Sequence, residues 1–246
     1  MRTVVITPTY DESDNIEEFL RRVRAALPDA DVLVVDDNSP DGTAERAEKL
    51  AEDLGRIHVL RRPEKQGLGV AYRAGFAHAL ANGYDVIAHL DADLSHDPAA
   101  LPAMIALLER DDADLVIGSR YVAGGAIPNW PWFRRALSRL GNLYAGFILG
   151  TSVRDNTTGY RVYRARALRS IDYSSTRSKG YGFMIETAYL VAGSGGRVSE
   201  YPIIFTDRVR GYSKMTLSVA VEEMLLVTWW GVRDRSRRLR GKLRRR

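Results

Sequence analysis

Short β-branched runs alternate with helix-period stretches along the first half of the chain. Strands are predicted at Thr3–Thr7, Asp31–Asp37, Ile57–Leu60, Val86–Asp91 and Asp114–Ser119, and helices at Asp14–Ala26, Thr43–Leu54, Gly69–Ala81 and Pro98–Glu109. A strand followed by a helix, repeated, defines an α/β fold with a mostly parallel sheet, because parallel neighbours need a crossover connection. Any one apolar run reads equally as a buried helix segment; the repeated order decides between them. Asp14 and Glu17 make an acidic first turn, and Pro98 suits a first helical position.

After Tyr121 the alternation stops. The segment AGGAIPNWPWFRRALSRLGNLYAGFILGTSV is read as loop-rich, with aromatic and basic residues mixed. Its uncharged stretch Leu140–Val153 has 14 residues and three glycines, against about 20 needed to cross a bilayer. A strand at Arg197–Phe205 and a helix at Thr216–Trp230 follow; Glu222 and Glu223 make that helix unsuited to a membrane. The start, MRTVVITPTY, reaches Asp11 after a short apolar run and reads as a strand, not a signal peptide or span. One domain over 1–231 and a basic tail over 232–246 are expected.

Charge sharpens this division. The 246-residue chain carries a net +5, yet Val232–Arg246 holds nine Lys/Arg against the single Asp234, a net +8 that leaves −3 for the rest. Such a tail reads as a solvated end or as a binder of an anionic membrane or nucleic acid. With no cysteine, disulfides, zinc-thiolate sites and cysteine nucleophiles are excluded, and a reducing compartment fits.

Ligands of open α/β sheets bind beyond the carboxyl ends of the strands. Here the first strand runs into Pro8-Thr9-Tyr10-Asp11-Glu12, the second into Asp36-Asp37-Asn38-Ser39-Pro40-Asp41-Gly42, and the fourth into Asp91-Ala92-Asp93. Residues Asn38 to Thr43 read equally as caps and turns. On an extended segment Asp91 and Asp93 would point to one side. Adjacent carboxylates repel unless a cation lies between them, and hard oxygen donors suit Mg²⁺ or Mn²⁺ completed by substrate phosphates and waters. There is no G-x-x-x-x-G-K-[ST] loop, no G-x-G-x-x-G after the first strand and no G-x-S-x-G elbow. Gly67-Leu68-Gly69 precedes the third helix, where it serves tight packing or close ligand approach. His58, His78, His89 and His96 have no metal-ligand spacing.

The stretches PTYDESDNI, VVDDNSPDGT, GLGVAYRAGF, HLDADLSHDP, GSRYVAGG, DNTTGYR, GYGF and PIIFTDRVRGYSKM resemble, in order, the motifs of the dolichol-phosphate (polyprenol-phosphate) mannosyltransferases, family 2 glycosyltransferases with a GT-A fold. The resemblance implies transfer of mannose from GDP-mannose to a polyprenyl phosphate with inversion at the anomeric carbon. It implies that Pro8, Tyr10 and Glu12 surround the nucleotide with Asp37 near the guanosine. Asp91 and Asp93 would hold the metal and diphosphate, with the Ala92 backbone on the donor. Arg120, Arg208 and Lys214 would face phosphates, and Arg134 and Ser138 would hold the acceptor phosphate. Ser95 stands where the family often has a glutamine that serves the metal, and Asp11 where it often has asparagine. Glu186 is the acidic position after GYGF.

A phosphate monoester is already anionic at neutral pH, so such a reaction needs positioning and charge stabilisation more than a strong base. A lipid acceptor would give a purpose to Trp130, Trp132 and Phe133 beside Arg134 and Arg135, and to Trp229-Trp230 before the tail. These have the composition of an interfacial anchor, although Trp-Pro-Trp also reads as core. Residues 128–153 and 228–246 are expected to dock on the cytoplasmic leaflet as a peripheral enzyme, with or without a separate membrane-anchoring protein. A glucosyltransferase using UDP-glucose fits the same fold. A nucleic-acid binder acting through the tail leaves the acidic strand ends unexplained.

Overall fold

A computed structural model gives the fold and describes residues 1–176, 178, 180, 182–207 and 224–233. The strands β1 (Thr3–Thr9), β2 (Asp31–Asp36), β3 (Ile57–Arg61), β4 (Val86–His89), β5 (Leu115–Ser119), β6 (Arg161–Arg164) and β7 (Val198–Pro202) form one sheet. Its order is β3-β2-β1-β4-β6-β5-β7. Every pairing is parallel except those of β6, which runs antiparallel between β4 and β5. The expected mostly parallel α/β sheet is therefore observed.

Alternation along the strands sends side chains to two apolar layers. Val5, Val32, Val34 and Val116 pack beneath α1 (Ile16–Ala26), α2 (Thr43–Leu54) and α4 (Leu101–Arg110). Val4, Ile6, Leu33, Val35 and Ile117 pack beneath α3 (Leu68–Ala81), α6 (Ala165–Ser170) and α7 (Gly182–Gly193). Helix α1 shows why it forms: Ile16, Phe19, Leu20 and Val23 are its buried stripe at helical spacing, with Glu17 and Glu18 in the first turn. Fully burying each such side chain contributes about 1.5–3 kcal/mol. On α3, a Cβ at Gly75 would lie 2.7 Å from Ile6 Cγ2, so glycine there lets the helix sit close on β1.

Three expectations need correction. The segment after Tyr121 is not loop-rich throughout, because α5 (Trp132–Leu149) is an 18-residue helix. It ends at Gly150 with φ 68°, where the Thr151 amide caps the Gly146 carbonyl. Strand β4 stops at His89 rather than Asp91; beyond it the chain turns through Leu94, at φ 60°. Asp91 and Asp93 therefore sit on a tight turn and not on the extended segment that would have aligned them. Strand β7 covers only Val198–Pro202 of the expected Arg197–Phe205. Of the expected helix Thr216–Trp230, the described part is helical, and the helix continues over 224–233. We name this last helix α8. It packs through Val227 and Trp230 against Ala145 and Leu149 of α5 and Ile185 and Tyr189 of α7.

Candidate active site

Sheet order brings the carboxyl ends of β2, β1 and β4 side by side: Thr9 lies opposite Asp36, and Ile6 opposite His89. The loops leaving these three ends each contain a non-glycine residue in the left-handed region, Asp11 (φ 58°), Asn38 (φ 59°) and Leu94 (φ 60°). Such conformations persist where surrounding contacts over-determine them, often at functional sites. Those contacts are visible. Asp36 accepts from the Thr9 hydroxyl and from the amide and hydroxyl of Ser39. Asp41 accepts from the Ser13 amide and from Thr43, and the Glu12 amide donates to the Thr43 hydroxyl.

The predicted nucleotide residues gather here. Pro8 is in β1, and Tyr10 carries the Lys65 ammonium 3.8 Å from its ring centroid. Glu12 Oε2 accepts from Asn15 Nδ2 at 2.9 Å. Asp37 receives Arg62 at 2.5 Å, both side chains being buried; burial pushes its carboxyl up against the pull of Arg62.

One strand further, Asp91 Oδ1 accepts from the Tyr72 hydroxyl at 3.0 Å. Burial first, then the Asp91 charge, pushes the Tyr72 phenol well above its ordinary value, so it stays a donor. Ala92 is buried, and Asp93, also buried, accepts from the Ser95 amide at 3.0 Å. Ser95 thus bonds through its backbone on both sides, its carbonyl accepting from the Thr206 amide. Among the described residues no group of three or more His, Cys, Asp or Glu could hold a metal ion. The donor set is two carboxylates and one hydroxyl on a turn, which fits a hard cation that draws its remaining ligands from phosphate and water. It does not fit a protein cage. His96 follows at once, packed against Tyr160 and Phe205. Burial, together with Arg120, lowers it to about 4, so it is neutral, and its Nδ1 is buried without a hydrogen-bond partner.

Antiparallel β6 brings a third group to the same edge, since Arg161 at its start lies opposite both His89 and Ile117. The DNTTGYR loop leading into it meets Arg120 at the end of β5. Arg120 does not stand open as a phosphate ligand. Its Nε and Nη2 each bond Asp155 at 2.7 Å, and Nη2 also reaches the Thr157 hydroxyl. Burial would raise the Asp155 carboxyl, but the Arg120 charge and hydrogen bonds outweigh it and hold it low. Around this pair stand the faces of Tyr121, Trp130 and Phe205. Arg134 stacks on Trp130 at 3.9 Å. Ser138 accepts from the Tyr121 hydroxyl at 2.7 Å. Asp207 accepts from the Trp130 indole at 2.8 Å and faces Arg134 at 3.5 Å. Arg120, Arg134 and Ser138 are thus brought together. Arg208 and Lys214 lie outside the described residues, but Thr206 and Asp207, which lead to them, lie against Ser95 and Trp130.

Residues that the sequence left without a role now have one. Asp155 pairs Arg120, Tyr72 holds Asp91, and Asp207 bridges Trp130 and Arg134. Asp155 and Tyr72 were inside the matched motifs DNTTGYR and GLGVAYRAGF, which was their only signal. Glu186 is buried, with Oε2 accepting from the Ser178 amide at 3.3 Å. In the GLG stretch, a Cβ on Gly69 would lie 2.6 Å from the Ser178 carbonyl oxygen, so this glycine serves tight packing.

The α/β sheet thus carries acidic loops and an arginine cluster along one carboxyl edge. The chain belongs to glycosyl transferase family 2, whose description matches residues 4–172. It is 47% identical over 244 residues to the polyprenol monophosphomannose synthase of Mycolicibacterium smegmatis, covering 99% of this chain and 92% of that one. It is 46% identical to the undecaprenyl-phosphate mannosyltransferase of Micrococcus luteus, covering 99% of each. Among solved structures it resembles the mannosyltransferase PcManGT from Pyrobaculum calidifontis in complex with GDP-Man and Mn²⁺. That likeness, at TM-score 0.65 and 18% identity over 94% of this chain and 64% of that one, is one of fold.

Proposed function

We propose that the protein transfers mannose from GDP-mannose to the phosphate of a polyprenyl phosphate, with inversion, giving polyprenyl phosphate mannose and GDP. The observation that carries this reading is the meeting, at one sheet edge, of a carboxylate turn with an arginine-aromatic cluster. It is supported by the names of two relatives nearly half identical over almost the whole chain.

In this reading Pro8, Tyr10, Glu12 and Asp37 hold the guanosine end of the donor. Asp91, the Ala92 amide, Asp93 and Ser95 take its diphosphate and a Mg²⁺ or Mn²⁺ ion. When bound, such an ion neutralises charge on the departing diphosphate. Arg134 and Ser138 bind the acceptor phosphate, with Arg120 fixing the cluster from behind, and Arg208 and Lys214 add positive charge for the phosphates. An acceptor phosphate oxygen forms the new bond to the anomeric carbon, and the bond to GDP breaks with its electron pair leaving on the diphosphate. Arginine suits the acceptor side because its planar fork pairs bidentately with phosphate.

The lipid acceptor gives α5 its meaning. Trp132, Phe133, Leu137, Leu140, Leu143 and Phe147 are all more than half exposed, and Met224, Leu225, Trp229 and Val232 of α8 add to the exposed apolar side chains. No described helix is long and apolar enough to cross a membrane. Exposed aromatic and leucine side chains with Arg134, Arg135, Arg139 and Arg233 among them make an interfacial surface for an anionic bilayer, to which the tail adds charge.

Donor competition tests the reading. Purified protein incubated with polyprenyl phosphate, a divalent cation and equal labelled GDP-mannose and UDP-glucose should label the lipid with mannose. Glucose-labelled lipid, or no labelled lipid, would overturn it.

A further inference from the structure

Asp91 is framed by two residues from other parts of the chain. On one side the Tyr72 hydroxyl donates to Oδ1 at 3.0 Å. Tyr72 is fully buried on α3, its ring 4.2 Å from that of His89 and stacked at 6.0 Å on Phe183. The phenol is therefore held rigidly, aimed outward at the turn from beneath. On the other side, a Cβ at Gly159 would stand 3.4 Å from Asp91 Oδ2. Glycine at this position keeps a side chain from standing against that oxygen.

We propose that Tyr72 is a positioning residue that fixes the Asp91 carboxylate for the donor diphosphate and its cation, while Gly159 keeps any side chain off the second oxygen. This rests on the donor role given to Asp91 above. A carboxylate held at one oxygen by a buried donor presents the other in one orientation, and loss of such a supporting bond typically costs about 10–100-fold in metal affinity.

The test is calorimetric titration of GDP into the full-length protein at a series of Mn²⁺ concentrations, with a melting curve for each variant. Tyr72→Phe keeps the ring and removes one hydroxyl. It should need about tenfold more Mn²⁺ for half-maximal GDP binding, with the KM for polyprenyl phosphate unchanged. Gly159→Ala meets only ordinary contact distance and should fold, yet weaken Mn²⁺-dependent GDP binding in the same sense. A Tyr72→Phe protein that melts lower but needs the wild-type Mn²⁺ concentration overturns the positioning role. Asp91→Asn separates the two claims: if it binds GDP with wild-type Mn²⁺ dependence, the donor-site reading itself falls.

Discussion

Arg120, at the end of β5, and Asp155, in the loop before β6, form a buried bidentate ion pair with both bonds at 2.7 Å. The Arg120 amide also donates to Asp155 at 3.0 Å. Glu200 of β7 holds the loop in turn, accepting from the amides of Arg154 and Asp155. With Glu200, the pair thus ties three neighbouring strands at the edge where Trp130 and Arg134 gather. Removing one partner leaves a buried charge without its counterion, which costs about 3–5 kcal/mol. Asp155→Ala should lower unfolding free energy by that order in denaturant titration.

The same pair sets an acid limit. In the folded protein the Asp155 carboxyl lies below its usual range, so its stabilising contribution is complete above the ordinary carboxylate value near about pH 4. It is lost as pH falls through the lowered folded-state value. Thermal melts from pH 6 downward should show wild type losing stability over that acid window, and Asp155→Asn, already destabilised, losing less there.

Arg134 lies on Trp130 and is half-exposed, with Asp207 as its carboxylate neighbour. Arg134→Ala should raise the KM for polyprenyl phosphate about tenfold, the order of one hydrogen bond to a charged group. GDP affinity by calorimetry should not change, because Arg134 sits on Trp130 near the end of β5, whereas Pro8 and Asp37 lie at the ends of β1 and β2, with β4 and β6 between them in the sheet. Equal losses on both substrates would show that the two ends of the site are not separable in this way.

Phe147 is 74% exposed, so Phe147→Glu should leave stability within about 0.5 kcal/mol and reduce sedimentation with anionic liposomes. Deleting residues 234–246 should reduce it further. Wild-type sedimentation by both variants would contradict membrane docking through α5 and the tail.

Gly69 abuts the Ser178 carbonyl, and a methyl there must displace backbone. Gly69→Ala should destabilise the protein by about 1–3 kcal/mol, the usual cost of overpacking, read as a lower denaturant midpoint.

The parallel half of the sheet was legible because each strand was a β-branched run followed by a helix with a clear buried stripe. Helix α5 was not, because it is apolar on its exposed face as well as its packed one, from Phe133 to Phe147. Helix α7 hid for the opposite reason: Gly182 to Tyr189 is buried throughout, so no polar face marks its period. Strand β6 is four residues with Arg161 inside it, wholly buried and bonded to the carbonyls of Thr158, Met184 and Asn156. A charged residue in so short a run looks like loop. The acidic strand ends were readable from position alone, whereas the Arg120 to Asp155 and Tyr72 to Asp91 contacts span 35 and 19 residues and needed the fold.

The most direct measurement is formation of labelled polyprenyl phosphate mannose from labelled GDP-mannose, Mn²⁺ and polyprenyl phosphate, with wild type and Asp91→Ala side by side. Wild type should form the mannolipid with inverted anomeric configuration and Asp91→Ala should form almost none. Wild-type turnover by Asp91→Ala, or no mannolipid from the wild-type protein, would contradict a mannosyl transfer centred on the carboxylate turn after β4.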